Sequence, residues 1–349
     1  MLSNDSPGSP ESGSGAAPVK LEDVAKLAGV SSATVSRVLN GSTAISPNTR
    51  KRVLKAIQEL RYRPNIHARN LAAGRSNTLG LIVSNIGNPF FLDIYQGMEY
   101  QASLRNHELV IASTGYDSKR LATSIHSMLS RRVAGLALFV SEMEPDLVEE
   151  LAFANVPVVM FDVPAAHPNS TNIRVNYGTG MQMLVSYIRQ LGHKRIGFVG
   201  HHTSLGPLRE RQDAFSSSLK DLLPDTEFLI ASRSDSPAGG QDAARQLLDS
   251  DLRPTAILCV NDYMALGVLG ECHDRGIDVP GQISVAGFDN TSAAPFTYPP
   301  LSTVSVPTDK IAHHALEVFL ASSEAPRTRD IVIRPELVIR RSTAPPPAT

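Results

Sequence analysis

After Asn77, short apolar runs alternate with amphipathic stretches. The runs are Leu79–Val83, Leu109–Ser113, Gly135–Val140, Pro157–Val163, Arg195–Gly200, Phe228–Ser232, Ala256–Val260 and Ile283–Asp289. Unbroken apolar runs of this length suit strands buried on both faces of a parallel sheet. Segments between them, such as Asp93–Asn106 and Gly178–Leu191, carry apolar residues at helical spacing. Strand alternating with helix predicts an α/β architecture. Sites in such sheets lie beyond the carboxyl ends of the strands. The residues just beyond the runs are polar or aromatic: Asn85 through Phe91, then Asp162, then Arg209 and Arg211, then Asn261 with Asp262, and finally Asp289 with Asn290. Asp262 reads better as a helix cap than as a ligand contact.

The pattern before Asn77 is different. Leu21, Val24, Ala25, Leu27 and Ala28 recur at helical spacing, and Gly29 supplies the open backbone position that ends a helix. Ser31 or Ser32 can cap a second helix, roughly Ser32–Leu39, with Val35, Val38 and Leu39 inward. Ser46-Pro47 starts a third that runs to about Leu60, with Val53, Leu54, Ile57 and Leu60 on one face. Two short helices joined by a glycine turn, with a third to bury them, form the helix-turn-helix plan. Tyr62-Arg63-Pro64-Asn65 breaks the third helix. Asn65 can cap a short fourth, Ile66–Ala73, ended by Gly74. Eight residues are too few to be helical alone in water, where roughly 12–15 are marginal.

Charge sharpens the division. From Pro18 to Ser76 there are eleven basic and three acidic residues, a net +8 on a chain whose total is −1, so the remainder carries −9. A basic head on an acidic body fits a polyanion binder, because Lys and Arg displace counterions from phosphates. Small polar residues opening the second helix, with Arg37, can approach base edges and phosphates in a major groove. Met1–Pro18 is rich in Ser, Gly and Pro and reads as a disordered tail without the basic start or apolar stretch of a secretory signal. No apolar run approaches the roughly 18–20 residues that span a bilayer. Cys259 and Cys272 read as buried thiols, and no Cys or His spacing suggests a metal. Phosphate-cradling and dinucleotide glycine motifs are missing, as are GxSxG and HExxH, so neither an enzyme nor a cofactor is expected. His201-His202 and His313-His314 read as surface or loop histidines, and Gly192-His193-Lys194-Arg195 as a structural turn before a strand.

DVAKLAGVSSATVSRVLN (Asp23–Asn40) and ISPNTRKRVLKAIQELRYRPN (Ile45–Asn65) closely resemble the head of the LacI/GalR family of bacterial regulators. The resemblance places Ser31, Ser32 and Ala33 at base-reading positions, supported by Thr34, Ser36, Arg37 and Asn40. It makes Ile66–Ala73 a hinge helix that pairs with its copy in a dimer and enters the minor groove. Asn65, Arg69 and Leu71 are then DNA contacts, Leu71 as the wedge at the central base step. The core is similar to type I periplasmic sugar-binding proteins, which implies two doubly wound lobes with a ligand cleft between them. Phe91 in NPFF, Arg211 in RERQDAF, Asn261 in VNDYMALG and Asp289 in SVAGFDN match effector contacts, and Asp162 joins them by its place after a strand. Many sugar-binding relatives carry an aromatic in the loop matching Ser234–Gly240, and here there is none.

The sequence therefore predicts a tail (1–18), an all-α helix-turn-helix head (19–64), a hinge and linker (65–76) and an α/β core (77–349). The lobes are expected at about 77–175 with 307–332, and about 176–306 with 333–345. The function implied is a cytoplasmic, homodimeric repressor of a pseudo-palindromic operator, governed by a small-molecule effector, a sugar or sugar derivative with sugar acids and phosphates among the candidates, with no membrane partner. A transport solute-binding protein would explain the core but needs export, and a Rossmann-like enzyme with an accessory head lacks its cofactor motifs. Arg341–Thr349 has no heptad leucines for a tetramerising coil. If the hinge orders only when two heads are held together, residues 65–74 should exchange amide hydrogens freely without operator and be protected with it. Equal protection in both states would remove that switch.

Overall fold

The computed structural model describes residues 19–39, 41–63, 76–152, 154, 156–163, 170–202, 206–222, 224–321 and 329–348. The expected tail and hinge helix, and the site residues Asn40, Asn65, Arg69 and Leu71, lie outside them. The chain divides into two compact units, 1–75 and 76–349.

In the first unit α1 (Leu21–Ala28), α2 (Ser32–Leu39) and α3 (Pro47–Glu59) have chemically defined ends. Gly29, at φ +62°, closes α1 by donating to the Lys26 carbonyl at 3.2 Å. Ser31 Oγ accepts from Thr34 N–H at 3.3 Å and caps α2. Ser46 Oγ accepts from Thr49 N–H at 3.3 Å ahead of Pro47, the arrangement that Ser-Pro spelled out. Val24, Ala25, Ala28, Val35, Val38, Val53 and Ala56 form the buried centre. Leu54, expected inward, is 52% exposed. One residue is about 100° of helix, so with Val53 buried the inner stripe continues through Ala56, Ile57 and Leu60. Arg52 donates to the carbonyls of Ala28 and Gly29, and Arg50 to that of Ser42 at 2.5 Å. Both guanidiniums therefore secure turns inside the head.

The second unit holds two six-stranded sheets. One contains β1 (Thr78–Val83), β2 (Glu108–Ser113), β3 (Gly135–Phe139), β4 (Val158–Phe161), β5 (Ser170–Val175) and β11 (Arg329–Ile333). Its order is β11-β5-β4-β3-β1-β2, and every pairing is parallel. The other contains β6 (Arg195–His201), β7 (Glu227–Arg233), β8 (Ala256–Cys259), β9 (Ser284–Asp289), β10 (Ser302–Ser305) and β12 (Glu336–Val338). Its order is β12-β10-β9-β8-β6-β7, parallel except where β12 meets β10. Helices α4 (Pro89–Ser103), α5 (Ser118–Ser130), α6 (Pro145–Ala152) and α11 (Thr308–Leu320) accompany the first sheet. Helices α7 (Tyr177–Leu191), α8 (Gly206–Leu222), α9 (Pro237–Leu248) and α10 (Asp262–Asp274) accompany the second. The chain passes between sheets after β5, β10 and β11, so three short connections join two lobes.

Four strands, β5, β10, β11 and β12, lie outside the apolar runs of the sequence. Of these, β5 and β10 are buried but polar: Ser170, Thr171, Asn172, Ser302 and Thr303 are all buried. Their side chains bond inside the protein, as Asn172 does with both the N–H (3.3 Å) and the carbonyl (2.7 Å) of Val163. α4 begins at Pro89 rather than Asp93 because Asn88 caps it, its Oδ1 accepting from Phe90 N–H at 3.0 Å. The segment after β12 is part of the sheet region. Ser342 donates to the Val285 carbonyl at 2.6 Å and accepts from Ser302 N–H at 2.8 Å.

α9 and α10 touch backbone to backbone, and glycines allow it. A Cβ on Gly267 would lie 1.8 Å from the Pro237 carbonyl oxygen, whereas one on Gly270, three residues along the same helix, meets nothing within 4 Å. Gly267→Ala should therefore destabilise the core by about 3 kcal/mol, at the upper end of overpacking effects. Gly270→Ala should stabilise it by up to about 1 kcal/mol through helix propensity. Urea unfolding of the two variants checks the contrast; equal midpoints would deny the tight crossing.

Candidate functional site

In the head, the outer side of α2 is the site the sequence points to. Val35 and Val38 are buried, Ser31, Ala33 and Arg37 are exposed, and Ser32, Thr34 and Ser36 are half-buried. Ser31 Oγ and Thr34 Oγ1 lie 3.0 Å apart, so the cap ties two of these side chains together. Arg37 remains extended from the surface without such a tie to its own unit among the bonds described.

In the core, the carboxyl ends of both sheets face one pocket. The first lobe supplies Asn88, Phe91, Tyr116 and Ser141, and the second supplies Tyr177, Arg211, Asn261 and Asp289, among others. Of the five residues expected there, Phe91, Arg211, Asn261 and Asp289 line it, and Asp162 stands one hydrogen bond behind it through Tyr177.

Arg211 is 3% exposed. Its guanidinium lies between the rings of Tyr177 and Phe288, 4.6 and 4.5 Å from their centroids. It donates to the Val260 carbonyl at 3.0 Å and sits 3.0 Å from Asp289 Oδ1. Burial pushes the Asp289 carboxyl up, against the pull of Arg211. Asp289 holds φ +113°, a conformation L-residues rarely adopt and one that tends to be kept at working sites. Asp162 also has positive φ, +53°. Its two oxygens accept from Tyr177 Oη at 2.5 Å and Val175 N–H at 2.8 Å. Burial raises its pKa to about 7 despite those donors.

Asn261 does two jobs. Its Oδ1 caps α10, accepting from Met264 N–H at 2.8 Å, and its Nδ2 donates to Asp235 Oδ1 at 2.7 Å. The cap expected of Asp262 therefore belongs to its neighbour. Asp262 is buried instead against Thr291 N–H (2.8 Å) and Thr303 Oγ1 (2.6 Å), where it joins β9 to β10. Burial raises its pKa to about 6.

Three residues of this region escaped the sequence reading: Tyr116, Tyr177 and Asp235. Asp235 lies after β7 and its Oδ2 accepts from Tyr116 Oη (2.6 Å), Asn88 Nδ2 (3.2 Å) and Asn85 Nδ2 (3.4 Å), all from the other lobe. Tyr116 and Asp235 each come after a strand, so the strand-end rule would have found them had β2 and β7 been followed outward. His201, expected on a surface or loop, is buried at the end of β6 under Tyr116, ring centroids 5.1 Å apart. Burial pushes its pKa down to about 4. His193 is structural as expected, bridging Thr255 Oγ1 and the Ala344 carbonyl at 2.9 Å each.

The Asp162 carboxyl holds its proton more tightly folded than unfolded, where the value is near 3.8. Its contribution to stability is complete below about pH 4 and is lost as pH rises towards about 7. Against Asp162→Asn, whose amide never ionises, the wild-type chain should lose a few kcal/mol across that window. Thermal unfolding of both proteins at stepped pH measures it; a constant difference would mean that Asp162 is already ionised at pH 5.

Comparison with known proteins fits this geometry. Residues 20–65 match the model for bacterial regulatory proteins of the lacI family, and residues 185–343 match a periplasmic binding protein-like domain. The HTH-type transcriptional repressor PurR of Photobacterium profundum is 30% identical over 327 residues, 92% of this chain and 98% of that protein. The ribose operon repressor of Haemophilus influenzae is 30% identical over 326 residues, 92% of this chain and 98% of its own length. The structure of the Lac repressor dimer bound to operator and the anti-inducer ONPF superposes with a TM-score of 0.78 at 29% identity, covering 94% of this chain and all of that one. These relatives are repressors rather than enzymes, and among the described residues no helix is long and apolar enough to cross a membrane. The chain belongs to the LacI family of bacterial transcription regulators.

Proposed function

We propose that this regulator works in the cytoplasm as a homodimeric repressor. Its heads read a pseudo-palindromic operator through Ser31, Ser32, Ala33, Thr34, Ser36, Arg37 and Asn40, with Asn65, Arg69 and Leu71 at the hinge. A small molecule held by Phe91, Asp162, Arg211, Asn261 and Asp289 sets the affinity. The observation that carries the reading is the outer side of α2, small, polar and accessible, in a segment (Pro18–Ser76) of net +8. A recognition helix needs that combination: small side chains let the backbone approach the groove, and the charge supplies affinity for phosphate.

One helix reads only half a site, so the symmetric pair follows from geometry. Phe296 and Tyr298, in the connection between β9 and β10, are 87% and 94% exposed, apolar surface of the kind a second copy covers. With Arg50 and Arg52 holding turns inside the head, Arg37 is the guanidinium best placed for DNA.

The test compares the full chain with one lacking residues 1–75 on a random duplex library at increasing salt. The full chain should select sequences, with affinity falling steeply as salt rises; the truncated chain should not select. Arg37→Ala should weaken the selected complex by about 1–3 kcal/mol. A truncated chain that selects as well as the full one would end this reading.

A further inference from the structure

Asp289 and Arg211 line the cleft, and three more carboxyls stand one hydrogen bond behind its wall: Asp162 through Tyr177, Asp235 through Asn261, and Glu142 through the Ser141 N–H. Arg211 is paired with Asp289 at 3.0 Å. Asp162, Glu142 and Asp235 are left with neutral donors. Glu142 accepts from the hydroxyls of Ser84 (2.6 Å) and Thr114. Asp162 has Tyr177 and the Val175 amide. Asp235, 5% exposed, takes a tyrosine hydroxyl and three asparagine amides, Asn85, Asn88 and Asn261.

Among the described residues that line the pocket, Arg211 is the one Lys or Arg. His201, with its pKa lowered to about 4 by burial, brings no charge at neutral pH. A carboxylate or phosphate entering here meets the carboxylates of Asp235 and Glu142, with the single lining cation already engaged by Asp289, while Asp162 keeps its proton up to about pH 7. Like charges at such separations repel strongly where solvent cannot screen them.

The same walls have hydrogen-bonding capacity to spare. Arg211 Nε is a buried donor without an acceptor, and Asp289 Oδ1 is a buried acceptor whose contact with Arg211 is out of line for a hydrogen bond. Both residues line the pocket. A hydroxyl both accepts and donates, so one such group on a ligand satisfies the two at once. Asp235, between the lobes, offers acceptor lone pairs to further donors whenever its cross-lobe bonds part.

We propose that Asp235 sets the charge class of the cleft's ligand: molecules rich in hydroxyl or amine donors are accepted, and those bearing a carboxylate or phosphate are refused. The proposal rests on the cleft being the effector site. Asp235 acts together with Asp162 and Glu142, and it takes donors from three elements of the first lobe and one of the second, so a ligand that draws the lobes together must be compatible with its charge.

The test is calorimetric titration of the full chain, without DNA, with matched sugars: glucose, glucosamine, glucuronate and glucose 6-phosphate, and the galactose and ribose counterparts. At least one neutral or amino form should bind, and the acid and phosphate forms of the same ring should bind at least about ten-fold more weakly. Comparing each neutral sugar with its amino form tells a polyol preference from an amine preference. Asp235→Asn keeps the shape and removes the charge, and should narrow the gap at least about ten-fold. Asp235→Ser replaces it if the amide variant melts early. Tyr116→Phe, which removes a donor and leaves the carboxylate, should preserve the gap. An acid or phosphate that binds as tightly as its parent overturns the proposal. So does a gap that survives both Asp235 variants, or a panel in which no neutral or amino form binds. Failure of the DNA reading shows elsewhere, in loss of duplex selection with ligand sorting intact.

Discussion

A guanidinium does not give up its proton in any ordinary protein environment, so burying Arg211 dictates what surrounds it. It needs a counter-charge, acceptors and polarisable surface. Asp289 supplies the first, the Val260 carbonyl the second, and the ring faces of Tyr177 and Phe288 the third. Each supplier then fixes a piece of architecture. Asp289 reaches Arg211 from a backbone at φ +113° at the end of β9. Tyr177 opens α7, just after the first crossing between lobes, and its hydroxyl runs on to Asp162 at the end of β4. One buried cation in the second lobe is thereby linked, through a ring and a carboxyl, to the first.

A second link between lobes has the opposite character. Asp235 is an anion held by neutral donors from three elements of the first lobe, the loop after β1, the cap of α4 and the loop after β2. Such bonds are individually modest and exchangeable. Buried ion pairs are costly to break from one side, because the remaining charge is stranded. The Arg211 group therefore suits a fixed frame, and the Asp235 bonds suit a contact that is made and unmade.

Legibility in the sequence followed the range of the forces. The head is governed by neighbours: Gly29, Ser31 and Ser46-Pro47 mark helix ends by local chemistry, and the structure uses each of them. Leu54 misled because an apolar residue one step from the buried stripe looks the same in a window of sequence. Eight core strands, β1 to β4 and β6 to β9, overlap the apolar runs of the sequence, and these stood out. β5 and β10 did not, because they are buried by satisfying Ser, Thr and Asn side chains, and the partners of those side chains are far off in the chain. The cleft divides the same way. Arg211, Asn261 and Asp289 were visible through motifs and strand ends. Asp235 was not legible, because its four partners come from positions 85, 88, 116 and 261, far from it in the chain.

Under the proposed function, this arrangement limits how a ligand can act. A ligand moves an equilibrium only by binding one arrangement of the lobes better than another. Of the groups that bridge the lobes here, Asn88 and Tyr116 line the pocket and Asp235 bonds to both, so a ligand bonding to them competes with closure or replaces it. The difference available is a few hydrogen bonds, each worth about 1 kcal/mol net. That is the scale of ordinary allosteric coupling, roughly 1–3 kcal/mol.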